Sequence, residues 1–255
     1  MNTQTPVTLV TGGTQGMGLT TARHLARDGH QVIICGRRAE AGAEAEGSLK
    51  EEELDVRFLQ CDVAEEGAAE ALVAQIVADH GRLDAAFNNA GITVPVAPLA
   101  QSDPAVWRQA MDVNLTGVYY CLRAQIRAMR ETGGGAIVNN SSLAGVTAVP
   151  GQPAYVASKF GVIGLSQAAA IENARDPEIR INVVAPGPIS GGMNTEEALA
   201  KDPERTKQKL RVTAMRRLGR PEDVSQMVAW LLSSQAAYVT GAVFPIDGGA
   251  SAGKF

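Results

Sequence analysis

Several common classes of protein are excluded by what this sequence lacks. The 255 residues include only three cysteines, aromatic side chains make up 4%, and the formal net charge is −4. A weakly acidic chain without a basic cluster has no electrostatic footprint for nucleic acid or for an anionic membrane surface. No apolar run approaches the roughly 20 residues that would span a bilayer. We therefore expect no binding to nucleic acid and no membrane association.

The cysteines and histidines show no spacing that would hold a metal ion or form a disulfide framework. Each cysteine lies inside an apolar stretch, which is typical of a small buried side chain in a reducing compartment. We expect a cytoplasmic protein without a catalytic metal. The residues concerned are Cys35, Cys61, Cys121, His24, His30 and His80.

Short apolar runs alternate with longer helical patterns, which is typical of βαβ units around a parallel sheet. The runs lack polar alternation, as expected of strands buried on both faces. Strands are predicted at Thr8–Thr11, Gln31–Gly36, Arg57–Gln60, Leu83–Asn88, Ala136–Ser141, Arg180–Ala185 and Ala242–Ile246. Helices are predicted near Gly18–Asp28, Ala39–Glu52, Glu66–His80, Pro104–Glu131, Tyr155–Arg175 and Glu222–Ser234. We predict one α/β domain over residues 1–255, with helices on both faces of one sheet.

A glycine-rich segment, Thr11–Gly18, lies between the first predicted strand and the first predicted helix. Its glycines at 12, 16 and 18 allow a sharp turn, a close approach to a diphosphate and tight packing of helix on strand. The helix N-terminus offers free N–H groups and a positive dipole end to phosphates. This segment therefore predicts a nucleotide site.

Tyr155 and Lys159 are four residues apart in a predicted helix, and Ser142 lies thirteen residues before the tyrosine. Residues four apart project from the same helix face. A nearby ammonium favours the phenolate over the phenol, so this pair could move a proton on or off an alcohol oxygen.

These segments occur together and in order along the chain, and they resemble the short-chain dehydrogenase/reductase family. The matching positions are Thr11–Gly18, Asn88–Gly91, Asn114, Ser142, Tyr155, Lys159 and Pro186-Gly187, and the resemblance extends to Ile246–Gly249. It implies a Rossmann-type, doubly wound, seven-stranded parallel sheet that carries one nicotinamide dinucleotide. It also implies an NAD(P)-dependent enzyme that transfers a hydride between nicotinamide and a secondary alcohol or ketone. A homotetramer is implied as well, with the helices near Pro104–Glu131 and Tyr155–Arg175 between subunits.

The resemblance also implies a role for each matched residue. Tyr155 would be the general acid/base, and Lys159 would bind the nicotinamide ribose and lower the pKa of the tyrosine. Ser142, rather than Ser141, would bind the substrate oxygen, and Asn114 would hold a helix kink and a water of the proton relay. The expected catalytic residues are thus Asn114, Ser142, Tyr155 and Lys159. The expected cofactor-binding residues are Gly12, Thr14, Gln15, Gly16, Met17, Gly18, Arg37, Arg38, Asp62, Val63, Asn89, Ala90, Gly91, Tyr155, Lys159, Pro186, Gly187 and Ile189.

Asp62 would bind the adenine amino group, with capping of the next helix as a compatible alternative. The sequence departs from the family pattern at two positions, Gly191 and Asn140. Gly191 stands where a threonine often holds the nicotinamide carboxamide, so either Ser190 or the backbone alone would take that role. Asn140 replaces an apolar residue, and a buried amide there would need hydrogen-bond partners.

The second predicted strand ends in Gly36-Arg37-Arg38 rather than in a carboxylate. An Asp or Glu near this point usually holds a free ribose 2′-hydroxyl, whereas a guanidinium suits a 2′-phosphate. We therefore favour NADP(H) as the cofactor, with NAD(H) as the alternative if both arginines are solvated or one only stacks on adenine.

Residues 190–216 contain many charges and no predicted strand, which indicates either a mobile substrate lid or a surface insertion. The segments expected to contact substrate are mostly apolar and predict an uncharged, moderately apolar carbonyl compound. Their apolar residues are Val94, Pro95, Val96, Leu143, Val146 and Val149, and Gln152 and Asn194 could add hydrogen bonds.

Two other functions stay open. One is a reductase of carrier-bound 3-oxoacyl groups, for which Arg123, Arg127 and Arg130 would form a docking patch. The other is a non-catalytic, nucleotide-sensing protein, because a fold does not fix a function.

Overall fold

The computed structural model describes residues 5–192 and 194–253. Its strands are β1 Val7–Thr11, β2 Gln31–Gly36, β3 Val56–Gln60, β4 Ala85–Asn88, β5 Gly135–Asn140, β6 Ile179–Pro186 and β7 Val243–Ile246. Its helices are α1 Gly16–Arg27, α2 Ala39–Glu51, α3 Ala68–His80, α4 Pro104–Met111, α5 Gly117–Thr132, α6 Pro153–Glu172, α7 Glu196–Lys201, α8 Pro203–Arg211 and α9 Pro221–Leu232. Every predicted strand is therefore confirmed, with ends shifted by at most two residues.

The seven strands form one parallel sheet in the order β3-β2-β1-β4-β5-β6-β7. The order runs outward from β1 in both directions, and a change of direction of this kind leaves a crevice at the carboxyl ends of the strands. The predicted doubly wound, Rossmann-type sheet is confirmed.

Two apolar layers cover the sheet, as the unbroken apolar strands predict. One layer packs α3, α5 and α6 against Leu9, Ile33 and Ile137. The other packs α1, α2 and α9 against alternate residues of the same strands, such as Val10 and Val138. Because successive strand residues point to opposite faces, adjacent positions of one strand enter different layers.

The long helix predicted over Pro104–Glu131 is interrupted. A π-helical turn, Asp112–Thr116, separates α4 from α5. Its central residue, Asn114, is buried and binds the backbone of Ile92 through both amide atoms. A π turn accommodates one extra residue in the helix, and such turns are often found at functional sites.

Helix α6 starts with Pro153 in its first turn, where a missing N–H is harmless. By length and composition it is apolar enough to cross a membrane, with a mean hydropathy of 1.2. The expectation that no segment reaches this limit is therefore wrong for α6. Its buried residues include Lys159, Val162 and Ala170, which pack inside the fold, and we interpret it as a core helix.

Candidate active site

A cavity of about 810 Å³ lies at the carboxyl ends of the strands. This volume is within the range of roughly 300–1,000 Å³ that is usual for ligand pockets. Of the predicted residues, those on its wall are Gly12, Thr14, Gln15, Gly16, Met17, Arg37, Arg38, Asp62, Val63, Asn89, Ala90, Gly91, Ser142, Tyr155, Lys159, Pro186, Gly187 and Ile189. The fold thus brings together segments that are far apart in the sequence.

Two predicted residues do not lie on the cavity wall. A Cβ atom on Gly18 would lie 2.2 Å from the carbonyl oxygen of Gly12, so Gly18 allows α1 to pack against the preceding loop. Asn114 is enclosed in the π turn, where it binds Ile92 and, at 3.4 Å, the hydroxyl of Ser158. Both residues therefore support the wall from behind.

The glycine-rich loop has little room for side chains. Gly12 has a φ of +63°, and a Cβ atom there would lie 2.9 Å from the Cα of Ala90. The side-chain amide of Asn89 donates to the carbonyls of Thr11 and Gly12, at 3.2 and 3.1 Å. This brace holds the loop against the end of β4. Helix α1 begins at Gly16, and no side chain caps its N-terminus, so its first N–H groups are available to a phosphate.

At the β2–β3 side of the cavity, Arg37 faces Asp62 at 3.8 Å. Asp62 also accepts a hydrogen bond from the backbone N–H of Ala64 at 3.0 Å, which caps a local turn. The alternative that it caps the next helix is wrong, because α3 begins at Ala68 with Gly67 at its N-cap. A Cβ atom on Gly36 would lie 3.1 Å from the Cγ2 of Thr14, which leaves little space for an acidic side chain there.

At the other side of the cavity, Tyr155 and Lys159 project from α6. The Nζ of Lys159 lies 5.8 Å from the centre of the tyrosine ring and donates to the carbonyl oxygen of Asn140 at 2.8 Å. Tyr155 forms a side-chain hydrogen bond with Ser142, whose oxygen also accepts from the N–H of Ala144 at 3.1 Å. The arrangement can therefore present a phenol and a serine hydroxyl to one substrate oxygen.

Ser141 lies beside this group but has a structural role. It is buried, and its hydroxyl donates to the carbonyl oxygen of Lys159 at 2.8 Å. A Cβ atom on Gly145 would lie 2.1 Å from that hydroxyl. The assignment of Ser142 rather than Ser141 to the site agrees with this geometry.

The expected lowering of the tyrosine pKa is not found. Burial raises the pKa of Tyr155, and the hydrogen bond with Ser142 only partly opposes it. Burial lowers the pKa of Lys159 to about 8, and in the described part of the chain no carboxylate pairs with it. The correction has a simple cause: removal from water disfavours both charged forms and outweighs their mutual attraction.

The residues expected to contact substrate also need correction. None of the six apolar residues predicted for this role lies on the cavity wall, and Val94 packs instead against Ala154 and Tyr155. The wall includes Gln152 and Asn194, as predicted. It also carries Thr93, which precedes Val94, and three polar residues of the 190–216 segment, namely Asp202, Thr206 and Lys209; the sequence indicated these segments without naming the four residues.

Residues 190–216 form α7 and α8, and part of this segment closes one side of the cavity. Gly191 and Gly192 both have positive φ values, of +74° and +51°. The side chain of Asn194 donates to the carbonyl oxygen of Ile189 at 2.7 Å and accepts from Lys209 at 2.6 Å. These contacts tie α8 to the chain that follows β6.

The cavity fits a nicotinamide dinucleotide. The Gly12 loop would clash with added side chains but leaves backbone amides for a diphosphate, and a buried side-chain oxygen of Asn140 on the wall has no partner among the described residues. Among residues 5–192 and 194–253, no group of three or more His, Cys, Asp and Glu could hold a metal ion.

Comparison with known proteins agrees with this geometry. A family model described as enoyl-(acyl carrier protein) reductase matches residues 12–251. The chain is 37% identical over 245 residues to 2,5-dichloro-2,5-cyclohexadiene-1,4-diol dehydrogenase of Sphingobium indicum, covering 96% of each chain. The chain belongs to the short-chain dehydrogenase/reductase family. It is an oxidoreductase of the alcohol dehydrogenase and carbonyl reductase class that uses a nicotinamide cofactor and a small-molecule substrate.

Two further relatives extend the comparison. Cis-4-hydroxycyclohexanecarboxylate dehydrogenase of Sinomonas cyclohexanicum is 36% identical over 253 residues, with 96% of each chain covered. A crystal structure of actinorhodin polyketide ketoreductase with NADPH has a TM-score of 0.90 and 33% identity, with 97% of each chain covered. All three of these proteins are named as enzymes, which favours a catalytic function over the non-catalytic alternative.

Proposed function

We propose that this enzyme interconverts cyclic ketones and cyclic secondary alcohols, with Tyr155 as the residue that moves the proton. The observation that carries the proposal is the half-buried side chain of Tyr155, which is hydrogen-bonded with Ser142 and lies beside Lys159 on the cavity wall. When bound, the nicotinamide would supply or accept the hydride.

Tyr155 would donate its proton to the carbonyl oxygen in the reductive direction. The phenol is protonated at neutral pH, so it carries the proton that this direction needs, although its raised pKa makes it a weaker acid than a free phenol. Ser142 would hold the same oxygen through its hydroxyl, since the N–H of Ala144 already fixes the serine oxygen from the other side. Lys159 would hold ribose hydroxyls of the cofactor. Asn114 would act through the π turn as a positioning residue.

The proposed substrate class rests on the names of the relatives and on the cavity wall. Two relatives are named for six-membered-ring alcohols. The cavity wall carries the polar side chains of Thr93, Gln152 and Asn194, so we expect ring substrates with a second polar group to be preferred over plain alkyl ketones. A reductase of ketoacyl groups is the second candidate, because a polyketide ketoreductase shares 33% identity.

The experiment is a panel of substrates followed by NADPH consumption. It would contain cyclohexanone, a ring ketone with a second oxygen, an open-chain ketone of equal size, and a 3-oxoacyl thioester. We expect the highest kcat/KM with the substituted ring. A higher value with the thioester would favour the second candidate, and no turnover with any carbonyl would overturn the proposal.

We also propose a preference for NADP(H) over NAD(H). The support is the pair Arg37 and Arg38 on the wall and the glycine at position 36, where an added Cβ atom would already lie 3.1 Å from the Cγ2 of Thr14. A guanidinium bound to a phosphate is a strong, charge-assisted contact. Replacing both arginines with alanine should lower the NADPH:NADH ratio of kcat/KM at least about tenfold. Arg57→Ala is the control, because Arg57 pairs with Asp79 outside the cavity; a wild-type ratio below one would contradict the preference.

We propose that residues 190–216 act as a lid on a single domain spanning residues 1–255. The support is the pair of hydrogen bonds that the Asn194 side chain makes with Ile189 and Lys209. A cofactor or substrate beneath the lid would compete for the polar atoms of these bonds. Hydrogen exchange of α8 with and without NADPH tests this; equal exchange in both conditions would contradict a lid.

A homotetramer is proposed from the apolar surface of the helices expected between subunits. Trp107 on α4, Tyr119 on α5, and Phe160 and Ile171 on α6 are all exposed, and Ile171 is 80% exposed. Such a set of large apolar side chains is typical of a surface covered by a partner. Light scattering of the purified protein tests it, with Phe160→Glu expected to reduce the mass. The cytoplasmic location stays a prediction.

A further inference from the structure

One buried amide oxygen on the cavity wall has no partner within the described chain. Asn140 ends β5 and is 6% exposed, and its Oδ1 atom makes no hydrogen bond in residues 5–192 and 194–253. Buried polar atoms almost always have a partner, and an isolated exception calls for an explanation. An unmatched acceptor on the wall of a ligand cavity can be matched by a donor on the ligand.

A rotated amide group does not explain the unmatched oxygen. Asn89 donates through Nδ2 to two backbone carbonyls, so its Oδ1 must face Asn140. The Nδ2 of Asn140 donates to that oxygen at 3.0 Å. Exchanging the two atoms of the Asn140 amide would bring two oxygens together and lose this bond. The orientation is therefore set by the loop brace, and the acceptor stays unmatched.

The position of Asn140 in the sheet indicates which end of the dinucleotide would lie near it. The glycine loop follows β1, whereas Arg37 and Asp62 lie on the β2–β3 side. Asn140 lies two strands away from β1 in the opposite direction, which is about 10 Å at the usual strand spacing. The adenine base and its amino group, on the β2–β3 side, would therefore be remote from Asn140, whose amide reaches Asn89 beside the glycine loop. The nicotinamide end would be nearer to it.

The face of the sheet on which Asn140 lies further limits which cofactor atom can reach its Oδ1 atom. Asn139 binds Ser166 on α6, and the side chain of the next residue, Asn140, points to the opposite face. The proposed partners of the ribose, Tyr155 and Lys159, both come from α6. With Tyr155 and Lys159 as the proposed partners of the ribose hydroxyls, the amino group of the nicotinamide carboxamide is the donor left at this end of the cofactor. Gly191, which has no side chain, offers no acceptor for it apart from its backbone.

We infer that the Oδ1 atom of Asn140 accepts a hydrogen bond from the carboxamide amino group of the bound nicotinamide. This inference rests on the proposed function for the presence of the dinucleotide. It makes Asn140 a positioning residue for the ring and gives this chain a cofactor contact that an apolar residue at position 140 would lack.

The test uses two ligands and measures binding rather than turnover. Calorimetry gives the Kd of NADP⁺ and of its 3-acetylpyridine analogue, in which a methyl group replaces the amino donor. Wild-type protein should prefer NADP⁺, and Asn140→Val should lower that preference about tenfold by weakening NADP⁺ alone. Thr132→Val is the matched control, because it makes a similar polar-to-apolar change at the end of α5, outside the cavity, and should leave the preference unchanged.

Each other outcome is decisive. An equal loss for both nucleotides, or no loss for either, in Asn140→Val overturns the inference and leaves the proposed function standing. Failure of wild-type protein to bind either nucleotide overturns both. If Asn140→Val does not fold, Asn140→Ala serves in the same comparison and is judged by the same ratio.

Discussion

Two neighbouring asparagines on β5 show how one strand serves two different regions. Asn139 is completely buried and lies in a closed network: it accepts from Asn88 at 2.8 Å and donates to Ser166 at 2.8 Å. Asn88 also exchanges two hydrogen bonds with Gln125. Asn140, on the opposite face, has one amide atom bound and one unmatched.

The comparison separates groups that hold the fold from groups that await a ligand. Polar networks in which every atom is matched make a core specific and rigid. Unmatched or desolvated groups reduce stability and are typical of functional sites. On this view Tyr155, Lys159 and Asn140 belong to the second region, and the network around Asn139 belongs to the first.

The largest expected effect is on catalysis, in the functional region. Tyr155→Phe removes the proton donor and little else, because its ring packing against Val94 and Ala154 is kept. We expect kcat to fall about 10²–10⁴-fold, while the Kd of NADPH and the thermal unfolding temperature hardly change. Steady-state kinetics and calorimetry measure these. Tyr119→Phe, on the exposed face of α5, is the control, and near-normal turnover in Tyr155→Phe would remove Tyr155 from the mechanism.

A smaller effect, on stability alone, is expected in the closed network. Asn139→Leu has a similar volume but leaves Ser166 and one N–H of Asn88 without their partner, at a cost of about 3 kcal/mol. Asn140→Val should cost less than about 1 kcal/mol, since it removes one bond and one unmatched atom. Thermal unfolding without nucleotide, at one protein concentration, should show a drop of about 6–12 °C for the first variant. Equal decreases in unfolding temperature for both variants would show that Asn139 and Asn140 do not differ in their contribution to stability.

The sheet could be predicted from sequence because its signals are local. A short apolar run indicates each strand, as in β2 and β6, and all seven strands were predicted. The glycine loop and the pair Tyr155–Lys159 were also recognised locally, and the topology then brought them to one cavity.

What the sequence did not predict depends on three-dimensional surroundings. Asn139 and Asn140 look alike in the sequence, and only the packing of β5 between β4 and β6 assigns one to a network and the other to a cavity. The direction of the Tyr155 pKa shift depends on burial, which spacing does not reveal. The helical patterns of α7 and α8 are short and highly charged, so they gave no clear sign of which side would face the cavity.

The smallest effect concerns the charge of Lys159. The pKa of this buried lysine is about 8 in the folded protein, against an ordinary value of 10.5 in water. Below pH 8 the lysine is charged in both states, and its burial reduces stability in full. Between pH 8 and 10.5 the folded state has lost the proton and the unfolded state has not, so this penalty fades as the pH rises.

Lys159→Met should therefore unfold at a higher temperature than the wild type at pH 7, by about 1–3 kcal/mol in the free energy of unfolding. The bond from Nζ to the carbonyl oxygen of Asn140 is lost, which keeps the gain below the full value of the shift. At pH 9 the advantage should shrink by about 1 kcal/mol, while turnover stays low at both pH values. Thermal unfolding of both proteins from pH 6 to 10 measures it. A difference that does not change with pH would mean that Lys159 carries no buried charge, and the functional region would then be defined by Tyr155 and Asn140.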